Sequence, residues 1–123
     1  MPEGRIRIKR LPLVPNVCNQ LLREVYRNDQ ASLAHVIMPR GEVSLTHWHR
    51  KFIEWYYILR GRGLMEVGKK AFPVRGGDVI IIPPREKHRL FNKGAGVLEH
   101  LVFSTPPFNS QDVITAEEND DPE

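Results

Sequence analysis

Glycine and proline cut this sequence into short runs rich in β-branched and aromatic residues, and periodicity compatible with a helix is confined to residues 19–26. Such a chain buries its apolar residues by pairing strands, so the expected class is all-β. The strand candidates are Ser32 to Met38, Leu45 to His49, Ile53 to Leu59, Leu64 to Val67, Ala71 to Val74, Val79 to Ile82, Arg89 to Phe91 and Val97 to Ser104. About eight short strands at regular spacing indicate a sandwich or a barrel of jelly-roll type, which removes exposed sheet edges. Gly68-Lys69 supplies a tight hairpin turn, and Gly76-Gly77-Asp78 offers the positive-φ positions glycine adopts at little cost. Arg5, Arg7 and Lys9 alternate with Ile6 and Ile8, which predicts an N-terminal strand serving as a protected edge or a dimer arm. Pro106-Pro107 ends the last core strand, and Phe108, Val113 and Ile114 are expected to pack back as a cap. The expected organisation is an arm and lead-in over 1–30, one β-barrel over 31–108, and a cap with an acidic, disordered tail over 109–123.

A chain of 123 residues with 41% hydrophobic content has room for one domain with a real core. No apolar run approaches the length needed to span a bilayer, and Met1-Pro2-Glu3-Gly4-Arg5 leads into no signal-type apolar segment. A cytoplasmic protein without a membrane partner is expected. Cys18 is the single cysteine, forms no intramolecular disulfide and is given no catalytic role. The formal charge of +3 conceals a division. Glu117, Glu118, Asp120, Asp121 and Glu123 crowd the last seven residues, and setting those five acids aside leaves a body of +8. A basic body attracts small anions, but no dense basic patch interleaved with aromatics announces nucleic-acid binding.

The residues that carry chemistry are histidines and one glutamate. His47 and His49 lie two apart on a predicted strand, so the pleat sends both imidazoles to one face and Trp48 to the other. Glu54 follows His49 by five residues, an offset that demands a bend at Arg50-Lys51 before it can join them. If Glu54 then points inward, Tyr56 and Ile58 do too, while Trp55, Tyr57 and Leu59 point outward. Tyr56 thereby becomes a pocket-lining candidate for a catalytic role. His88 arrives from a later hairpin, after the rigid Pro83-Pro84 corner, and barrel geometry is needed to bring it across. Three imidazoles and a carboxylate suit one divalent transition metal, whether manganese, iron, nickel, zinc or copper.

Gly41, His47, His49, Glu54 and Gly61 reproduce the pattern G-x5-H-x-H-x4-E-x6-G, and Gly77, Pro83, His88 and Asn92 reproduce most of G-x5-P-x-G-x2-H-x3-N. In this the chain resembles the cupin superfamily. Arg85 stands where the second pattern has glycine, and 15 residues, Arg62 to Gly76, separate the two motifs. The resemblance implies a jelly-roll, double-stranded β-helix barrel holding a metal through His47, His49, Glu54 and His88. It also implies a homodimer built on the N-terminal strand, and leaves the reaction open.

Two functions compete. One is a metal-dependent enzyme, of dioxygenase or sugar or keto-acid isomerase type, acting on a small oxygen-rich and anionic metabolite. The other is a non-catalytic sensor or carrier of such a molecule. Isomerisation needs a general base, for which Tyr56, His35 and His100 are the candidates. His35 and His100 read more readily as surface or structural histidines than as catalytic ones. Alternation turns His100 inward with Leu98 and Val102 if Glu99 faces water, and His100 is left outside the metal shell.

Overall fold

The computed structural model describes residues 4–16 and 20–115. Cys18 and the acidic residues from Glu117 onward lie outside that range. Among the described residues eleven strands run in the order β1 (Val14–Pro15), β2 (Leu21–Arg27), β3 (Ser32–Met38), β4 (His47–His49), β5 (Ile53–Arg60), β6 (Arg62–Val67), β7 (Lys70–Arg75), β8 (Val79–Ile82), β9 (His88–Asn92), β10 (Leu98–Thr105) and β11 (Val113–Thr115). They form two antiparallel sheets. The larger has the order β1-β2-β3-β10-β5-β8 and the smaller β11-β4-β9-β6-β7. This is the expected all-β jelly roll.

Inward side chains of both sheets make one core. Val36, Met38, Tyr56, Ile58, Ile80, Ile82 and Leu98 come from the larger sheet, and Met65, Val74 and Leu90 from the smaller. β5 alternates as its sequence requires: Glu54, Tyr56 and Ile58 are buried, whereas Trp55, Tyr57 and Leu59 are exposed. Gly61, with φ +97°, turns the chain from one sheet into the other. A Cβ there would lie 2.5 Å from the Val97 carbonyl oxygen, so a side chain fits neither the backbone angle nor the space.

One expectation is corrected, and two further segments gain definition. Residues 5–7 form no strand, and Ile8–Arg10 is a single 3-10 turn closed by the Leu11 N–H on the Ile8 carbonyl. The sheet edge belongs instead to β1, which pairs with β2, while the Arg23 guanidinium holds the Leu11 carbonyl at 3.1 Å. The helical periodicity over 19–26 is overridden by β2, whose backbone groups are taken by β3 with a bulge between Glu24 and Tyr26. The C-terminal cap is a strand. Ser110–Asp112 makes a 3-10 turn, and β11 pairs with β4 at Val113–His49, Ile114–Trp48 and Thr115–His47. Phe108 packs as foreseen, edge-on to Phe52 with ring centroids 5.6 Å apart.

Among the described residues no helix is long and apolar enough to cross a membrane.

Candidate metal centre

β4 presents His47 and His49 to the interior, each almost fully buried. His88 does not come from across the barrel. It sits on β9, the neighbouring strand of the same sheet, and pairs directly with His47 in the ladder. Their ring centroids are 4.2 Å apart. Glu54 is the residue that crosses, from β5 of the opposite sheet. Its Oε1 lies 3.0 Å from His49 Nε2 and 3.5 Å from His88 Nε2.

The bend that the sequence demanded between His49 and Glu54 is fastened from a distance. Asp112 Oδ2 accepts the backbone N–H groups of Arg50 at 3.1 Å and Lys51 at 2.9 Å. Beyond the bend Phe52 stacks on His49, with centroids 4.0 Å apart. Arg85, at the position of the motif glycine, adopts φ +72°, and its N–H donates to the His49 carbonyl at 2.7 Å. The turn therefore keeps the left-handed geometry that glycine would supply.

Two of the imidazoles are oriented for metal binding. Nδ1 of His47 lies 2.7 Å from the Leu45 carbonyl and Nδ1 of His88 lies 2.8 Å from the Glu86 carbonyl. A carbonyl accepts only from N–H, so each ring carries its proton on Nδ1 and turns a bare Nε2 inward. His88 Nε2 and His49 Nδ1 are buried without a hydrogen-bond partner. Burial, and then the neighbouring His88, push His47 down to about 3, which keeps that imidazole neutral. Burial pushes the Glu54 carboxyl up, but opposing contacts, the hydrogen bond with His49 foremost, outweigh it and hold the group below the usual carboxylate range. Ser104 Oγ approaches Glu54 Oε2 at 3.5 Å.

Ligand atoms of His47, Glu54 and His88 all lie within 4.8 Å of one another, a group able to hold a metal ion. Two bare or unpartnered ring nitrogens facing an ionised carboxylate fit a divalent cation. His49 stands outside that tight group and touches it through Glu54.

The site opens into a cavity of about 300 Å³. His47, Glu54 and Tyr56 line it, together with Gln20, Arg27 and Ser32. Sequence reasoning found the first three. It missed Gln20 and Arg27, which lie before the motifs in segments where nothing distinguishes a lining side chain from a surface one. Of the histidines held as general-base candidates, His100 is fully buried and stacks on Tyr56 with centroids 4.7 Å apart. His35 lies on the outward face of the larger sheet, its Nε2 2.9 Å from Glu99 Oε2, so the structure separates it from the cavity.

The chain matches the family model for the cupin domain over residues 34–104 and belongs to that family. It is 40% identical over 98 residues to Uncharacterized protein MJ1618 of Methanocaldococcus jannaschii, covering 79% of this chain and 78% of that one. It is 33% identical over 81 residues to the oxalate-binding protein of Thermotoga maritima, covering 66% and 67% of the two chains. Among solved structures, a variant of Streptomyces PAC13 with uridine superposes with a TM-score of 0.77 at 21% identity, covering 94% of this chain and 91% of that one. A Thermotoga maritima structure called a predicted oxalate decarboxylase reaches 0.74 at 24% identity, covering 83% and 98%. These two structural likenesses speak for the fold alone.

Proposed function

We propose that this protein is a metal-dependent cupin enzyme that takes a small, oxygen-rich, anionic metabolite onto one divalent transition metal held by His47, His49, Glu54 and His88. The observation that carries the proposal is the placement of His47, Glu54 and His88 within 4.8 Å of one another beside a cavity of metabolite size. Three neutral imidazoles and one carboxylate leave a divalent ion with net charge near plus one, which favours an anionic chelating ligand. The ion would supply Lewis-acid stabilisation of charge on the ligand's oxygens and, where it is manganese, iron or copper, oxidation by dioxygen. Zinc would restrict the chemistry to isomerisation, elimination or hydrolysis.

The chain's own groups do the rest. Leu45 and Glu86 fix the His47 and His88 tautomers through their carbonyls. Tyr56 lines the cavity two residues beyond Glu54, and Arg27, the cation on the cavity lining, is ion-paired at 3.1 Å with Glu24 of the same lining. Metal analysis of protein purified without chelator is expected to find one of these metals, and oxygen uptake with diketones, catechols and thiols separates the dioxygenase from the isomerase type. Metal-free protein that gains no metal on incubation with manganese, iron, nickel, zinc or copper overturns the proposal.

A second reading, a non-catalytic binding protein, is favoured by the likeness to the oxalate-binding protein. Calorimetric titration with oxalate, with and without the metal, tests it. Metal-dependent binding with no consumption of oxalate or of the other compounds supports this reading over the first.

A further inference from the structure

One polar side chain on the cavity lining is buried with almost nothing to hold. Gln20 is only 6% exposed, and its backbone is fixed just before β2 by exchange with Asn16. The Gln20 N–H donates to Asn16 Oδ1 at 3.0 Å, and the Gln20 carbonyl accepts the Asn16 N–H at 2.9 Å. The carboxamide is served worse. Nε2 lies 3.8 Å from the thioether sulfur of Met38, a weak acceptor, and among the described residues Oε1 accepts no hydrogen bond. An amide withdrawn from water and left nearly unpartnered costs free energy. On a cavity wall it is open to a ligand group that both gives and takes hydrogen bonds.

The rest of the lining constrains what carries that group. Ser32, at one end of β3, shares a rung with Ser104, which in turn pairs with Glu54. Met38, the contact of Gln20, ends the same strand six residues later. That stretch sets the two ends about 20 Å apart at the backbone, and the side chains with their bonds to a ligand take up about half of it. Leu22, Val36 and Val102 give the cavity apolar walls. Glu24 and Arg27 cancel each other at 3.1 Å, and the Arg27 guanidinium also donates to the Phe108 carbonyl at 2.5 Å.

We infer that Gln20 is a specificity residue at the end of the cavity opposite Glu54, where it binds a neutral amide or hydroxyl on the tail of an elongated acid. The inference rests on the proposed metal reading for the chelating head of that acid. A cavity of about 300 Å³ holds about ten non-hydrogen atoms, at the volume a water molecule takes in the liquid. Ten atoms suffice for a chelating head, a short aliphatic stretch and the terminal group. A second carboxylate at the tail would lose its hydration and meet only a cation already paired. An apolar tail would leave the Gln20 carboxamide unserved.

Three acids of one size test this by calorimetric titration of the metal-loaded full chain. 2-Hydroxyglutaramate, 2-hydroxyglutarate and 2-hydroxy-5-methylhexanoate share a hydroxy-acid head and differ only at the tail, which is an amide, a carboxylate or an isopropyl group. The wild-type protein is expected to bind the amide about tenfold more tightly than either of the others. Gln20→Met keeps the length of the side chain and removes both hydrogen-bonding atoms. It is expected to bring the amide down to the isopropyl acid, whose own affinity holds to within about twofold. That retained affinity separates lost recognition from a lost fold, and the wild-type ordering is read without any variant. Equal affinities for the three acids in protein of full metal content overturn the inference and leave the metal reading standing. A preference for the amide that survives Gln20→Met overturns it too. So does failure of all three to bind, and elemental analysis of the same sample then shows whether the metal assignment falls with it.

Discussion

His47 and His88 face each other across one rung of the β4–β9 ladder. The spacing between them is therefore set by backbone hydrogen bonding rather than by the closure of a barrel, and two of the proposed ligands are as rigid as the sheet. Replacing both with alanine is expected to abolish metal content by elemental analysis while leaving the far-ultraviolet circular dichroism unchanged. Full metal occupancy in the double variant would sink the ligand assignment.

Asp112 acts on the same site from a distance, since its carboxylate accepts two N–H groups of the bend that delivers Glu54. Removing it leaves two backbone donors without that partner. Asp112→Ala is expected to cost about 1–3 kcal/mol in denaturant unfolding, and metal affinity is expected to fall about tenfold. Stability that falls with metal affinity untouched would show that the bend and the ligands are uncoupled.

Arg85 holds φ +72°, where a side chain costs about 1–2 kcal/mol and glycine does not. Glycine loses part of that advantage to the extra freedom of its unfolded chain. Arg85→Gly is expected to raise stability by about 0.5–1 kcal/mol, with Arg85→Ala giving no gain. Equal melting temperatures for all three proteins would show that the turn stores no strain.

Acid should act through imidazoles that the fold keeps neutral. Burial pushes both His47 and His100 down to about 3, whereas unfolded histidine takes up a proton near 6.5. Between those values the unfolded chain binds more protons than the native one. Stability of the metal-free protein is therefore expected to be full above about pH 6.5 and to fall as pH drops toward 3, by about 1.4 kcal/mol per pH unit for each such group. His100→Leu removes one of them together with two unpartnered ring nitrogens. It is expected to reduce the acid slope while stability at pH 7 holds to within about 1 kcal/mol. An unchanged slope would show that His100 is protonated in the native state.

The sequence showed β5 most clearly, because a strand with one face in the core and one outside must alternate, and Glu54, Tyr56 and Ile58 fell on the buried side together. His47 and His49 were legible for the same reason, as was the need for a bend before Glu54. The pairing of strands was not. Nothing local distinguishes a neighbour across a ladder from a residue across a barrel, so His88 was expected to travel from the far side when it is Glu54 that does. The N-terminal segment misled because Ile6 and Ile8 alternate with cations as a strand would, while the edge is filled by β1 instead. Residues 19–26 carry a period that fits a helix, but β3 claims the backbone from Leu21 onward. Asp112 gave no signal, since a carboxylate that caps a bend some sixty residues away looks in sequence like any acid in a loop.

The pairing of β11 with β4 also fixes when this site can exist during synthesis. β4 leaves the ribosome early, but its neighbour in the smaller sheet and the carboxylate that secures its bend are translated only with residues 112–115. Until then the strand bearing His47 and His49 has an open flank and the delivery of Glu54 is unfastened. A nascent chain therefore offers a passing ion scattered imidazoles, and the finished body offers it an assembled cage. On the proposed metal assignment, the choice of ion would therefore follow translation, with the rigid ladder rather than the loose chain doing the selecting.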